Sequence, residues 1–316
     1  MSKRTRNLLV PVLLAAVLAA CSSQLELEPA QEQRNSVAIN APISDQGGVR
    51  VMTLNAAHSR GTGFHQILQD GDTARENLAT IAAVIEREAP DVLALQELDG
   101  PSFWSGGFDH AEFLSERSGL PSYLRADNQK LAGLRYGTAL MSRYTLADGE
   151  GFSFPARGVW PAKGFVVSTM ETGAADYPSV TVVSVHLDPL RPTMRHKQLR
   201  MLAQHLDSNT GPTIVMGDFN CEWEEDTCLQ WFTSEMQLQA HAPAAPDLGT
   251  FRFGGKRLDW VLASRHFGFS DYKVLTDDLS DHRGVVAELH WLPQPDDPQI
   301  VADGEESRQA GQVLSR

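Results

Sequence analysis

Positive charge is scarce in this chain: 27 lysines and arginines stand against 40 aspartates and glutamates, a net charge of −13. A protein this acidic repels nucleic-acid phosphates unless it gathers basic groups locally or brings metal ions. A nucleic-acid partner is therefore not favoured. A full-length membrane span is missing too, because the apolar run from Leu8 to Ala20 falls short of the roughly 20 residues a bilayer requires. Cysteine is almost absent, with Cys21, Cys221 and Cys228 the only three in 316 residues. No histidine or further cysteine stands near Cys221 and Cys228 at zinc-ligand spacing. In an exported chain that pair reads as a disulfide closing a small loop. No internal repeat is evident. What remains is ordinary globular composition, 42% hydrophobic and 21% charged, with length for one large domain or two small ones.

The first 21 residues read MSKRTRNLLVPVLLAAVLAAC. A basic start followed by a short apolar core is the pattern of a secretory signal. Its end, Leu18-Ala19-Ala20-Cys21, resembles the lipobox of bacterial lipoproteins. That resemblance implies cleavage after residue 20, lipidation of Cys21 and a stable membrane anchor. Ser22 in place of Asp implies the outer membrane, facing the periplasm or the cell surface. Residues 21–47 are polar and lack sustained periodicity, so they are expected to form a flexible tether. Residues 293–316 are acidic and proline-bearing, and are expected to be a disordered tail.

Between these ends, strand-like and helix-like segments alternate. Val49–Leu54, Val92–Leu95, Gly137–Ser142, Gly164–Met170, Val180–Leu187, Thr213–Met216, Leu258–Ala263 and Val285–Leu289 read as strands. Thr73–Glu88 has Leu78, Ile81, Ala82 and Ile85 at helical spacing, with Asp72 or Thr73 placed to cap it and Pro90 to stop it. A second helix is expected over Thr193–Leu206. This alternation predicts an α/β domain over residues 48–292, two packed mixed sheets flanked by helices.

Polar residues recur where these strands end: Asn55, Glu97, His186, Asp188, Asp218, Asn220, Asp259 and the pair Asp281-His282. Buried strands should be apolar, so polar groups repeated at their ends are candidates for one shared site. The ordered set PDVLALQE, YGTALMSRY, VVSVHLD, IVMGDFN, RLDWVLAS and LSDHRGVVAEL resembles the endonuclease/exonuclease/phosphatase superfamily over roughly residues 49–291. That group includes deoxyribonucleases, abasic-site endonucleases, sphingomyelinases and inositol polyphosphate phosphatases. The resemblance implies a four-layered α/β sandwich and a divalent-metal-dependent hydrolase of phosphate esters, foremost a phosphodiesterase. The chain is expected to be a monomer, although its sequence does not fix the oligomeric state. A catalytically inactive binding module of the same fold is the alternative.

The roles that follow are also implied by the resemblance. Glu97 is the principal ligand of Mg²⁺, Mn²⁺ or Ca²⁺, helped by Asn55 and Asp281. Asp218 aligns or deprotonates the attacking water, and Asn220 holds substrate or intermediate. His282, oriented by Asp259, contacts the scissile phosphate; it and Asp218 both remain candidates for the general base. His186 stabilises phosphoryl oxygens or protonates the leaving group. Tyr136 touches phosphate or serves packing, and Arg157 and Lys163 lie where phosphate is often contacted. After Asn55 the sequence runs AAHSRG, without an acidic metal ligand. His58 and Arg60 there read as a surface loop, with a substrate-facing role the alternative. Arg195 and Arg200 read as surface charges.

Overall fold

The computed structural model describes residues 26–35, 47–63, 71–131, 133–155, 161–172, 179–225 and 227–292. The signal segment, Cys21, Arg157 and the tail after residue 292 lie outside the described residues. The first sheet contains β2 (Gln31–Asn35), β3 (Gly48–Asn55), β4 (Val92–Asp99), β5 (Ser122–Leu131), β6 (Leu134–Ser142), β13 (Phe267–Val274) and β14 (Val285–Trp291). Their spatial order is β13-β14-β3-β4-β6-β5-β2. The second contains β1 (Glu28–Pro29), β7 (Thr145–Ser153), β8 (Gly164–Glu171), β9 (Val180–His186), β10 (Thr213–Asp218), β11 (Leu238–Ala240) and β12 (Asp259–Ser264). Their order is β1-β7-β8-β9-β10-β12-β11. The pairs β3–β4 and β9–β10 are parallel and the others antiparallel, so both sheets are mixed.

Alternation along each strand explains the layering, since successive side chains leave opposite faces. Val51, Ala94, Leu140, Val166, Val182 and Met216 meet between the sheets. Met52, Leu54, Leu93 and Leu95 point outward against Leu78, Ile81 and Ile85 of α1 (Gly71–Glu88), where Ala111 and Leu114 of α2 (His110–Ser115) join them. On the far side Val183, Val185 and Val215 pack on Leu199 and Leu202 of α3 (Pro192–Leu206) and Leu229 and Phe232 of α4 (Thr227–Glu235). Strands covered on both faces read as near-continuous apolar runs. This is the four-layered α/β sandwich the sequence predicts. No helix among the described residues is long and apolar enough to cross a membrane.

Four local differences stand out. Helix α1 starts at Gly71, so Asp72 lies in its first turn rather than at its cap. Strand β4 continues past Leu95 through a bulge to Asp99. Residues inside the expected tether form structure: Glu28–Pro29 pairs with β7, and Gln31–Asn35 with β5. The polar sequence concealed this because an edge strand buries little side chain, while the sheet edges it covers hold unpaired backbone groups. Helix α4 and the exposed strands β7 and β13 also escaped the periodicity argument. The expected Cys221–Cys228 disulfide is present.

Candidate active site

Register gathers the polar strand ends. In the second sheet Asp218 at the end of β10 pairs with His186 on one side and Asp259 on the other. His186 in turn faces Gly164, which brings Lys163 beside it. In the first sheet Asn55 is level with Gln96, and Asp99 with Tyr136. Two contacts join the sheets here: Asn55 Nδ2 donates to Asp218 Oδ2 at 2.9 Å, and Lys163 Nζ to Glu97 Oε1 at 3.1 Å. Behind them Gln96 Nε2 donates to Ser184 Oγ at 3.1 Å, a further inter-sheet bond in an apolar surround. The result is a cleft of about 680 Å³ lined by Asn55, Glu97, Tyr136, Lys163, His186, Asp218, Asn220, Asp281 and His282.

The backbone is unusual at this cleft. Glu97 has φ +52° beside the β4 bulge, and Asn220 has φ +51°. Ala57, His58 and Ser59 take φ of +43°, +58° and +62° in succession. Left-handed conformations cost side-chain-bearing L-residues about 1–2 kcal/mol each. Such strain persists only where surrounding structure over-determines it, and it concentrates at functional sites.

The electrostatics separate the acids from the bases. Asp218 is buried among Asn55, His186 and His282, with His186 Nε2 3.4 Å and His282 Nε2 3.9 Å from its Oδ2. Burial and the nearby Asp259 charge raise its pKa to about 7, against the opposing pull of His282. His282 Nδ1 donates to Asp259 Oδ2 at 2.8 Å. Burial would lower the pKa of this ring, but Asp259 and Asp218 outweigh burial and raise it to about 10. His282 is therefore an imidazolium at neutral pH. His186 is driven the other way, well below the usual histidine range, by burial and by Lys163. Its neutral ring faces Lys163 Nζ with Nδ1 at 3.4 Å. Glu97 is an anion: Lys163 and His58 overcome the burial that would raise it and hold it well below the usual glutamate range. The Tyr136 hydroxyl is pushed upward by burial and by Glu97 and Asp99.

Asn220 ties two loops together, its backbone N–H donating to Asp218 Oδ1 and its side chain to Leu187 O, each at 3.0 Å. Asp188 does not line the cleft. Its Oδ1 accepts the Leu190 and Arg191 N–H groups and shapes the entry to α3. Asp259 is wholly buried behind His282.

Three residues read from sequence as surface prove otherwise. His58 is buried, with Nδ1 2.7 Å from Asp99 Oδ1 and Nε2 3.3 Å from Glu97 Oε2. Arg60 lines the cleft and pairs with Asp281. Arg195 is buried at the cleft wall, with Nη1 donating to Asp188 O at 3.1 Å. These corrections share one cause. A polar loop and a helix end look solvated in sequence, and only packing shows them turned inward. Arg200 is exposed as expected, lying over the Trp231 ring. Sequence reasoning also passed over Asp99, Glu222, Glu225 and Lys256; a second acid two residues after Glu97 in LQELD was the available signal.

Asp218, Asp259 and His282 offer ligand atoms within 4.8 Å of one another, a possible metal-holding group among the described residues. Its histidine already donates to its carboxylate and carries a proton, which suits a hydrogen-bonded relay better than a metal cage. Asn55, Glu97 and Asp281 supply two carboxylates and an amide oxygen to the same cleft. Those hard oxygen donors fit Mg²⁺ or a similar ion.

The sequence matches the family described as Endonuclease/Exonuclease/phosphatase over residues 52–282, which spans the whole constellation. The chain belongs to the endonuclease/exonuclease/phosphatase family. Solved structures agree on the fold of this family. An endonuclease/exonuclease/phosphatase from Beutenbergia cavernae DSM 12333 superposes with TM-score 0.63 at 24% identity, covering 78% of this chain and 72% of that one. A mannosyl-6-phosphatase from Bacteroides thetaiotaomicron VPI-5482 gives 0.58 at 19%, covering 77% and 100%. Sphingomyelinase C from Streptomyces griseocarneus gives 0.56 at 18%, covering 76% and 99%. At these identities the likeness is one of fold. No curated protein sequence matches the chain.

Proposed function

We propose that this family member hydrolyses a phosphate ester, foremost a diester, by attack of water within the cleft. The observation that carries the reading is the grouping around Asp218: a buried carboxylate that accepts from Asn55 at 2.9 Å, with His186 Nε2 3.4 Å and His282 Nε2 3.9 Å from the same oxygen and the His282 ring bonded to Asp259. Asp218 is the group fitted to take the proton of the attacking water. His282 cannot serve as that base while Asp259 keeps it protonated, so it donates to a phosphoryl oxygen as negative charge develops. Lys163 and Arg60 add positive charge to the cleft wall, and neutral His186 keeps Asp218 and Lys163 in place. Asn55, Glu97 and Asp281 would hold a divalent ion, Mg²⁺, Mn²⁺ or Ca²⁺, which when bound polarises the ester and neutralises charge. The fold relatives span a sugar monoester phosphatase and a sphingomyelinase, so fold alone does not choose between mono- and diesters.

The sequence adds location: lipidation at Cys21 would hold the domain outside the cytoplasm at the outer membrane. Hydrolysis assays with bis-p-nitrophenyl phosphate and p-nitrophenyl phosphate, each with Mg²⁺, Mn²⁺ or Ca²⁺, test the chemistry. Turnover of the diester that chelation abolishes is the expected result. Silence on these and on nucleic acid, sphingomyelin and phosphoinositide under every ion would leave the binding-module alternative standing.

A further inference from the structure

A second histidine–aspartate pair, His58–Asp99, has its histidine on the cleft wall and is not used by the mechanism above. His58 Nδ1 lies 2.7 Å from Asp99 Oδ1, and Asp99 Oδ2 accepts the Trp104 Nε1–H at 2.6 Å. Asp99 is wholly buried, so both of its oxygens are satisfied from within the protein. The other ring nitrogen, Nε2, lies 3.3 Å from Glu97 Oε2. Each ring nitrogen therefore faces a carboxylate oxygen. Glu97 is therefore gripped at each oxygen, Oε2 by His58 and Oε1 by Lys163 at 3.1 Å.

The ring itself cannot drift. Trp104 and Tyr136 pack edge-on against it, with centroids 5.4 and 4.6 Å away. Its backbone sits in the middle of the left-handed turn at Ala57–Ser59. That turn is pinned on every side. Asn55 Oδ1 accepts the Ala57 N–H at 3.0 Å, Asn77 of α1 donates to Ser59 O at 2.8 Å, and His110 of α2 meets Ser59 Oγ at 3.0 Å. Two strained backbone sites, Glu97 and His58, thus point their side chains at each other from different elements. Packing alone would not require this, because an apolar side chain would fill the space behind Tyr136 without leaving a buried aspartate to be satisfied.

We propose that His58, anchored by Asp99 and Trp104, is a positioning residue that aims the Glu97 carboxylate at the ion. This rests on reading Glu97 as a metal ligand. Outer-shell partners of metal ligands typically contribute about 10- to 100-fold in metal affinity. Glu97 retains lone pairs for the ion, since a carboxylate offers about four acceptor sites and its two neighbours occupy at most two.

Calorimetric titration of Mn²⁺ into the purified full-length protein tests the proposal. Asn tolerates left-handed backbone and can still donate to Asp99, but it is too short to reach Glu97. His58→Asn is therefore expected to weaken Mn²⁺ binding about 10- to 100-fold while the metal-free melting temperature stays near wild type. His58→Gln, which reaches Glu97, is expected to bind more tightly than His58→Asn; a purely structural role would make the two alike. Trp104→Phe removes a donor to Asp99 from the edge of the cluster and is expected to shift affinity in the same direction by less. Wild-type Mn²⁺ affinity in both His58→Asn and Trp104→Phe, with binding lost in Glu97→Gln, would overturn the proposal and leave Glu97 as ligand. Wild-type affinity in Glu97→Gln as well would instead remove the metal site on which it rests.

Discussion

Asp218 and His282 share one buried space, with Asp259 bonded to the His282 ring. Exchanging Asp218 for Asn removes the proposed base and keeps the shape, so turnover should fall about 10²- to 10⁴-fold. Stopped assays alongside a thermal melt check this, with the melt expected to stay within a few degrees of wild type. The raised pKa of Asp218 means that the folded protein holds a proton the unfolded chain has already lost. In metal-free protein, stability from this group is fully present below about pH 3.8 and is lost as pH rises through about 7. The His282 contribution follows the same rule for a raised group: fully present below about pH 6.5 and lost as pH climbs through about 10. Asp259→Asn should therefore flatten the fall in melting temperature between pH 7 and 10. A slope as steep as wild type would mean that Asp259 does not hold the proton on His282. Asp218, Asn220, Asp259, His282 and Glu97 were all legible in the sequence because each follows or opens an apolar strand. His58 and Arg60 were not, because their loop has no periodicity and only a left-handed turn directs it inward.

At the scale of elements, the site depends on how closely β9 and β10 approach. Gly217 has φ +145°, and a Cβ there would lie 2.0 Å from Val185 O. The obstacle is backbone, which cannot swing aside. Gly217→Ala should cost about 1–3 kcal/mol or more and, by spreading the two strands, move Asp218 away from His186. Chemical denaturation would register the loss of stability, and turnover should fall with it. Most of the strands buried on both sides were readable from their apolar runs, but β5, whose buried stretch carries Ser122, Arg125, Asp127 and Asn128, was not. The second half of β4, beyond Leu95, was not: the bulge breaks the alternation just where it turns Glu97 into the cleft. Strands β7 and β13 have one partly exposed face, and their mixed composition resembles loops.

For the whole molecule, residues 28–35 reach both sheets. Glu28–Pro29 closes the edge at β7 and Gln31–Asn35 the edge at β5, with Glu32 Oε1 accepting the Gly151 N–H at 2.8 Å. A form beginning at residue 36 should melt several degrees below one beginning at residue 26, and should aggregate more readily through its bared edges. Light scattering and thermal melts of the two forms would show equal behaviour if the segment were only a tether. Anchoring is a separate matter: Cys21→Ser should shift the protein from the membrane to the soluble fraction, and full membrane retention would exclude the lipid anchor. By itself the sequence determined the layered α/β class and most of the polar side chains that line the cleft, because burial on both faces of a strand and polar groups at its end leave a local signature. Tertiary structure alone decided the partners of those side chains. Which residue protonates, which stays neutral, and that His58 and Asp99 stand behind Glu97 depend on distances between segments far apart in the chain, and Coulomb and desolvation energies follow those distances rather than sequence order.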